Sequence, residues 1–332
     1  MSALPSQGIG VGLIGLGFMG RTHAACFAAS GRAHIIATFE RNPDALHAAT
    51  GANNLDTGSA LAAAALAHTR RATSIDELLA DARIALVSIT TPTDSHVELA
   101  LRALEAGKHV LVEKPVSLDP AAIRRIGACA TAHGLLAMPA HCMRFWPSWV
   151  VMREALQSEH YGRPFRARFQ RMGQAPSWSK DFYLDDARSG GAAIDLHIHD
   201  ADYIRDVFGE PTAVHAKGSR RHIQTTYSFA SGVHVEAEGA WVDDAAFEFV
   251  MAAVIECERG TLDFRLGREP ELVLTREGVS TQIAVPTGSG YEGEINALLD
   301  AILAGARAAP VSMEDAAKTQ ELLNRELASL AQ

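Results

Sequence analysis

Three polar residues are the first candidates for chemistry: Lys114, Asp195 and His199. Lys114 stands between Glu113 and Pro115 at the end of an apolar run, and the proline keeps it out of the helical conformation. A lysine held at a strand end can hydrogen-bond a substrate oxygen and stabilise negative charge on it. Histidine titrates near neutral pH and is the usual general base for an alcohol proton. The set predicts a site that removes a proton from a hydroxyl group.

Asp195 and His199 are four residues apart, so on one continuous helix they share a face. The predicted helix runs from about residue 186 to 208, and Asp195 could orient the His199 imidazole or bind the substrate hydroxyl. A solvated contact between helix neighbours is the alternative for this pair, and a surface charge is the alternative for Lys114. His197 points to another side of a helix than His199, and no cysteine or third carboxylate signature lies nearby. We therefore predict no metal site and interpret His197 as a packing or supporting residue.

A glycine turn follows the first apolar run, residues 11–14, and opens a helix. It fits the pattern G-x-G-x-x-G. The first glycine permits a tight turn, the second lets the backbone approach a pyrophosphate, and the third lets helix and strand pack closely. The helix N-terminus adds backbone N–H groups and the positive end of its dipole. The pattern predicts a dinucleotide site made by Gly15, Gly17, Phe18, Met19 and Gly20.

Two charged residues after the second apolar run bear on the choice of cofactor. Glu40 lies about twenty residues beyond the glycine turn, where a carboxylate accepts hydrogen bonds from the ribose hydroxyls and repels a 2′-phosphate. Arg41 could instead pair with that phosphate. In a third interpretation both are solvated loop charges. We predict NAD, with NADP as the alternative.

Two loops that follow later strands are expected to border the same site. Residues 82–89 and 109–112 are apolar runs, and each is followed by a proline-containing loop. Ligands of open parallel sheets bind outside the carboxyl ends of the strands. We therefore assign to the cofactor the loop residues Thr90, Thr91, Pro92, Glu113 and Lys114.

The order of these elements predicts two domains. In the first half strands alternate with helices, which implies a parallel sheet with right-handed crossovers. After about Arg144, seven alternating segments separated by turn residues predict a mostly antiparallel sheet. Two helices, near 292–303 and 313–330, close the chain. We predict an α/β Rossmann domain over 1–143, followed by an α+β domain over 144–332 whose last helices can pack back on the first.

Composition narrows the class of protein. The chain has 332 residues, 48% hydrophobic and 21% charged, with a net charge of -9, so it has no general attraction for nucleic acid or anionic membranes. No apolar run reaches the length of a membrane span, and the N-terminus has no leader pattern. The four cysteines form no C-x-x-C pair, which favours thiols in a reducing compartment. We predict a cytoplasmic protein without nucleic-acid or membrane partners.

Four segments in register resemble one family, that of glucose–fructose oxidoreductase, inositol dehydrogenase and MocA, which comprises sugar and polyol dehydrogenases. The likeness covers essentially the whole chain. Its segments are Gly15-x-Gly17-x-x-Gly20, Thr91-Pro92-x-x-x-His96, Glu113-Lys114-Pro115 and residues 190–200. The resemblance implies that Lys114, Asp195 and His199 line the site, with His199 as the proton acceptor, and it adds His96 to the cofactor loop.

Two further residues are assigned to the substrate with Lys114, Asp195 and His199. Arg144 belongs to an Arg-Phe-Trp-Pro stretch of the kind the family has at its domain junction, although a buried structural pair is the alternative. Trp178 lies in a loop, with Lys180 and Tyr183, where the family often places substrate contacts, although aromatic loop residues also serve as lids or packing.

Function and assembly follow as expectations. We expect an NAD(P)-dependent dehydrogenase that oxidises a secondary alcohol of a sugar, polyol or inositol, or reduces the corresponding ketone. The alternatives are a non-catalytic NAD(P)-binding redox sensor and a sugar oxidoreductase that retains its cofactor between turnovers. The antiparallel sheet is expected to present an apolar face without helical cover, and the family pairs through that sheet. We therefore expect a homodimer or homotetramer.

Overall fold

The computed structural model describes residues 8–42, 59–176, 180–183 and 185–330. Two compact units result. One comprises Met1–His141 and Tyr291–Lys318, and the other comprises Cys142–Gly290 and Thr319–Gln332. The irregular stretch expected at 51–58 lies outside the described residues.

The first unit is built on a six-stranded sheet in the order β3-β2-β1-β4-β5-β6, with parallel neighbours throughout. β1 and β4 are buried along their whole length, which explains their uninterrupted apolar sequence. The strand order reverses between β1 and β4, and open sheets bind ligands at such a point. The predicted Rossmann sheet is thereby confirmed. The strands are β1 Ile9–Ile14, β2 Ala33–Phe39, β3 Arg70–Arg71, β4 Leu86–Ile89, β5 His109–Val112 and β6 Ala137–Pro139.

Helices pack against this sheet. The prediction of a strand from residue 82 was too long, because Asp81 accepts hydrogen bonds from the backbone and guanidinium of Arg83 in a turn. The helix over residues 120–133 was not predicted, although Asp119 caps it and Pro120 opens it. The helices are α1 Phe18–Ser30, α2 Ser59–Leu66, α3 Ile75–Leu79, α4 His96–Glu105 and α5 Pro120–His133.

The second unit contains the predicted, mostly antiparallel sheet, in the order β14-β13-β12-β11-β7-β10-β9-β8, with one parallel pair, β7 and β10. Sequence reasoning missed the central strand β7, since arginines alternate along it and hide its buried face. The strands are β7 Pro164–Gly173, β8 Ala213–Gly218, β9 His222–Ser228, β10 His234–Trp241, β11 Val250–Cys257, β12 Gly260–Arg265, β13 Leu272–Arg276 and β14 Val279–Gln282.

The single helix predicted over 186–208 was wrong. Gly190 and Gly191 have φ angles of 77° and 72°, which end one helix before the next begins. A second break follows Asp195, where the His197 N–H donates to the Ala192 carbonyl five residues back. The helices from α6 onward are α6 Pro147–Gln157, α7 Lys180–Tyr183, α8 Asp186–Ser189, α9 Ala192–Asp195, α10 Ile198–Phe208, α11 Gly290–Leu303 and α12 Met313–Leu330.

One face of the second sheet is packed and the other is polar in its middle. Trp149, Phe169 and Tyr203 form an aromatic cluster on the packed side. The opposite face was expected to be apolar. The structure instead shows charged residues there, with Arg168 Nη2 3.8 Å from Glu238 Oε2. Only its β11 portion is largely apolar, with half-buried valine and alanine. Among the described residues, no helix combines the length and apolar composition needed to cross a bilayer.

Glu238 on this face should make stability depend on pH. Burial raises the pKa of its carboxyl, but hydrogen bonds from Gln170, Gln224 and His222 outweigh burial and lower the pKa to about 2 from 4.5. A depressed folded-state pKa contributes stability above the unfolded value, and that stability is lost as pH falls from about 4.5 toward 2. Glu238→Gln should therefore lower the free energy of unfolding at pH 7 by about 1–3 kcal/mol.

Urea denaturation between pH 7 and pH 3 checks this expectation. The difference between wild type and Glu238→Gln should shrink below about pH 4.5. Glu236→Gln, which removes a more exposed carboxylate from the same strand and face, is the matched control. A constant difference for Glu238→Gln across the range would contradict the assignment.

Candidate active site

The glycine turn between β1 and α1 has the geometry that a dinucleotide needs. Gly15 has φ +94°, and a Cβ there would lie 2.8 Å from the Thr90 carbonyl oxygen. A Cβ on Gly20 would lie 2.2 Å from the Gly15 carbonyl oxygen. Gly17 differs from both, since it is exposed and nothing lies within 4 Å of an added Cβ. The first and third glycines are required by the fold itself, whereas Gly17 leaves open backbone beside the turn.

The N-terminus of α1 is suited to an anion. Gly17 occupies the N-cap position and has no side chain to cap the first N–H groups, and the first turn contains no acidic residue. Backbone N–H groups and the helix dipole both favour negative charge there. Residues 17–20 therefore fit the pyrophosphate of a dinucleotide.

Glu40 closes the turn from the end of β2. Its Oε2 accepts the Leu16 N–H at 2.7 Å and its Oε1 accepts the Asn42 N–H at 2.8 Å. Each carboxylate oxygen can accept a further bond, so a ribose hydroxyl fits the same group. Arg41 is exposed beside it. Glu40 thus supports the glycine turn, a contact that sequence reasoning did not foresee.

Thr90 ties the loop after β4 to the glycine turn. Its hydroxyl donates to the Gly15 carbonyl at 2.9 Å and to the Ile14 carbonyl at 3.2 Å. The hydroxyls of Thr91 and Ser95 are 2.7 Å apart at the start of the next helix. Thr90 therefore contacts the turn itself, and the exposed Pro92 follows in the same loop.

His96 lies between two strand-end loops. Its Nε2 is 2.7 Å from the Thr91 carbonyl oxygen and its Nδ1 is 3.0 Å from the Pro115 carbonyl oxygen. Burial lowers the pKa of His96, and a neutral imidazole carries one N–H, so the ring donates to one carbonyl at a time. Both ring nitrogens face protein oxygens, which indicates that His96 positions the two loops.

The turn at residues 113–115 holds Lys114 half-buried, before a cis Lys114–Pro115 bond. The Lys114 N–H donates to Glu113 Oε2 at 3.0 Å. Burial raises the pKa of Glu113, but a hydrogen bond from His23 and the charges of His23 and Lys114 outweigh burial and lower it. The Glu113 carboxyl is therefore favoured in its ionised form beside the Lys114 backbone.

His23 contacts Glu113, a contact that sequence reasoning missed. It lies three residues after Gly20 on α1 and is fully buried. Its Nδ1 is 2.8 Å from Ser88 Oγ, and its Nε2 is 3.0 Å from Glu113 Oε1. Glu294 of α11 completes the cluster, with its Oε1 3.8 Å from the same Nε2. The spacing of His23 behind the third glycine is the signal that could have pointed to it.

In the second unit, Asp195 and His199 lie on two successive helices. The expectation of one shared helix was therefore wrong. Asp195 ends α9 and is 8% exposed. His199 is half-buried in the first turn of α10, and its Nδ1 is 3.9 Å from Cys142 Sγ.

His197 belongs to a buried network in the second unit. Its Nε2 is 2.8 Å from Glu326 Oε2 and 3.0 Å from the Tyr227 hydroxyl, which donates to Glu326 Oε1. Burial lowers the pKa of His197, but the charge and hydrogen bond of Glu326 outweigh burial and raise it. The network agrees with the interpretation of His197 as a packing residue.

Arg144 forms a buried pair of the kind considered for it as an alternative. Its Nε and Nη2 bind the two Asp202 oxygens at 2.7 and 2.8 Å, and the Thr319 hydroxyl donates to the same carboxylate. Arg171 and Asp200, also in the second unit, form another buried bidentate pair. Trp178 lies outside the described residues.

Fold and site define the class: a Rossmann domain with a dinucleotide-type glycine turn, followed by an α+β domain with a large sheet. Residues 9–141 match the model of the oxidoreductase family with an NAD-binding Rossmann fold, and residues 149–263 match the GFO/IDH/MocA C-terminal domain. The chain belongs to the GFO/IDH/MocA family of oxidoreductases.

Curated relatives include sugar and inositol enzymes. The chain is 30% identical over 206 residues to inositol 2-dehydrogenase of Rhizobium meliloti (62% of this chain, 57% of the relative). It is 32% identical over 142 residues to 1,5-anhydro-D-fructose reductase of Ensifer adhaerens (42% and 43%). The matches thus span about half the length of these relatives.

Solved structures extend the likeness of fold to the whole chain. Levoglucosan dehydrogenase in complex with NADH and levoglucosan has a TM-score of 0.82 at 21% identity, covering 98% of both chains. UDP-N-acetylglucosamine 3-dehydrogenase of Acidithiobacillus ferrooxidans has a TM-score of 0.78 at 23% identity, covering 97% of both. At this identity the comparison establishes the fold.

Proposed function

We propose that this protein is an NAD(P)-dependent dehydrogenase that oxidises a secondary alcohol of a sugar, polyol or inositol, or reduces the corresponding ketone. The observation that carries the proposal is the glycine turn, in which Gly15 and Gly20 are sterically required and Gly17 leaves open backbone. Family membership supports it, since the relatives include an inositol 2-dehydrogenase and a UDP-N-acetylglucosamine 3-dehydrogenase.

The proposed chemistry assigns one role to each of three side chains. A bound nicotinamide supplies the hydride acceptor, or the donor in the reverse direction. His199 takes the proton of the substrate hydroxyl as the alcohol is oxidised. Lys114 hydrogen-bonds the same oxygen and stabilises its developing negative charge. Asp195 orients His199 or the hydroxyl. The residues that hold the cofactor are those of the glycine turn, Glu40 and the loops at 90–92 and 113–114.

NAD is the proposed cofactor, because the Glu40 carboxylate would repel a 2′-phosphate. Glu40→Gln keeps an oxygen for the Leu16 N–H and removes the charge. The ratio of NAD to NADP affinity should therefore fall about tenfold, equivalent to about 1.4 kcal/mol, with little change in thermal stability. Cofactor titrations of both proteins by fluorescence test this. An unchanged ratio, or a wild type that prefers NADP, would contradict the assignment to NAD.

The substrate class is tested by initial rates. The panel comprises polyols, inositols, aldoses and their phosphates, with NAD and NADP in parallel, and ketoses for the reverse direction. Nicotinamide absorbance of the purified protein before any cofactor is added tests whether the cofactor is retained. Absence of turnover together with intact NADH binding would instead favour a redox sensor.

We further propose a homodimer or homotetramer formed through the face of the second sheet that carries Arg168 and Glu238. Alternating charge there permits self-complementary pairing in a two-fold contact, and half-buried β11 residues such as Val254 add apolar area. Light scattering of wild type and of Val254→Asp tests it. A monomeric wild type, or a variant with unchanged assembly, would rule out this interface.

A further inference from the structure

Two buried carboxyl groups, those of Glu113 and Glu294, lie near one buried histidine, His23. His23 and Glu294 are fully buried and Glu113 is 5% exposed. Polar atoms of the three side chains all lie within 4.8 Å of one another. The proposed chemistry uses neither His23 nor Glu294, so the cluster needs its own explanation.

The cluster cannot hold both carboxyls in the ionised form at low cost. Two buried like charges at this separation repel, since water does not screen them. Glu113 is the better carboxylate, because its Oε2 accepts the Lys114 N–H at 3.0 Å and its Oε1 lies 3.0 Å from His23 Nε2, closer than the 3.8 Å between that nitrogen and Glu294 Oε1. Neither oxygen of Glu294 has a hydrogen-bond partner among the described residues. A buried carboxylate without hydrogen bonds is costly, so the proton belongs on Glu294.

The electrostatics agree with this arrangement. Burial raises the pKa of Glu294 well above its usual range, and the charge of Glu113 adds to the effect. The pKa of Glu113, in contrast, is lowered. When their surroundings move the pKa values of two neighbouring carboxyls apart in this way, one stays protonated as the acid and the other is the carboxylate.

We propose that ionised Glu113 is the positioning residue for Lys114, with His23 as its partner and Glu294 as the neutral acid of the cluster. With Glu294 neutral, His23 Nε2 faces a single carboxylate, that of Glu113, and Glu113 holds the main chain at Lys114 through its Oε2. Ser88 fixes the imidazole from its other nitrogen. The inference rests on the proposed function, because it acts through the substrate contact of Lys114.

A matched pair of variants tests the division of roles. Glu113→Gln and Glu294→Gln make the same change, from carboxyl to neutral amide, at two positions of one cluster. Because Glu294 is already neutral, Glu294→Gln should change kcat less than about threefold. Glu113→Gln removes the charge beside Lys114 and should lower kcat about tenfold. Equal losses in both variants, or a larger loss in Glu294→Gln, would overturn the proposal.

Infrared spectroscopy of the cofactor-free protein provides a readout that needs no substrate. Wild type at pH 7 should show the C=O stretch of a protonated carboxylic acid, which Glu113→Gln retains and Glu294→Gln loses. Absence of this band from wild type would overturn the proposal even if a variant fails to fold. A wild type without turnover would refute the proposed function and the positioning role with it, while the band would still locate the proton.

A bound divalent cation is the alternative occupant of this cluster, and metal analysis tests it. One imidazole nitrogen and two carboxylates are also ligands that a divalent cation accepts. Elemental analysis of purified wild type should show no stoichiometric metal. A bound metal that Glu294→Gln loses would overturn the assignment of Glu294 as a neutral acid.

Discussion

Replacing His199 with alanine is expected to lower kcat by about 10²–10⁴-fold, the usual contribution of a positioned general base. Without the imidazole, the substrate hydroxyl loses the base that is proposed to take its proton. The affinity for NADH should change little, since the residues proposed to hold the dinucleotide all belong to the first unit. Steady-state rates combined with NADH titration measure both quantities.

Two controls make this result specific. His234→Ala removes a half-exposed histidine from β10 in the same unit and should leave kcat unchanged. His199→Gln retains polarity without basicity and should be as slow as alanine. Loss of NADH affinity in His199→Ala with turnover preserved would assign the residue to cofactor binding and would contradict the proposed role.

The second large effect is expected from the glycine turn. In Gly20→Ala, the added methyl group would meet the Gly15 carbonyl oxygen at 2.2 Å, and this backbone contact cannot relax by a side-chain movement. Overpacking of this kind should lower the free energy of unfolding by about 3 kcal/mol or more and abolish cofactor binding. Urea denaturation of the cofactor-free protein measures the loss of stability directly.

Gly17→Ala is the matched comparison, because the substitution is the same and the surroundings differ. Nothing lies within 4 Å of its added methyl group, so the stability of the cofactor-free protein should stay within about 1 kcal/mol of wild type. NADH affinity should nevertheless fall at least about tenfold, since the methyl group keeps the pyrophosphate from the backbone. Wild-type affinity in Gly17→Ala would show that the dinucleotide does not approach this turn.

The Rossmann half could be predicted from sequence because its buried strands are continuous apolar runs punctuated by glycine and proline. The second half was harder. β7 carries alternating arginines on its open face, so its short buried pattern through Ala167 and Phe169 did not stand out. The breaks around Gly190 and after Asp195 depend on φ angles and on a five-residue hydrogen bond, which spacing alone does not reveal.

In the candidate site, too, contacts between residues close in sequence could be predicted and contacts between distant residues could not. The glycine turn and its acid are close in sequence, and their residue types state their roles. The cluster of His23, Glu113 and Glu294 joins three distant segments, and only folding brings them together. One signal was present in the sequence: Glu294 precedes Ile295 and lies four residues before Leu298, so a carboxyl stands on an otherwise apolar helix face.

Arg144 illustrates why a residue type alone does not assign a role. Its guanidinium suits a substrate oxygen and a buried carboxylate equally well. In the structure, Arg144 donates to both oxygens of Asp202, which indicates that Arg144 stabilises the fold. Its proposed contact with substrate would have to coexist with that pair.

We propose that this protein transfers hydride between nicotinamide and a carbinol carbon of a sugar, polyol or inositol. The most direct measurement uses the same panel of alcohols, deuterated at the carbinol carbons, with NAD, and mass spectrometry of the reduced cofactor. We expect deuterium in the NADH formed by wild type with at least one compound, and little or none in the same time with His199→Ala. Tight NADH binding without deuterium transfer from any compound, and without reduction of any matching ketone, would contradict the account and favour a redox sensor.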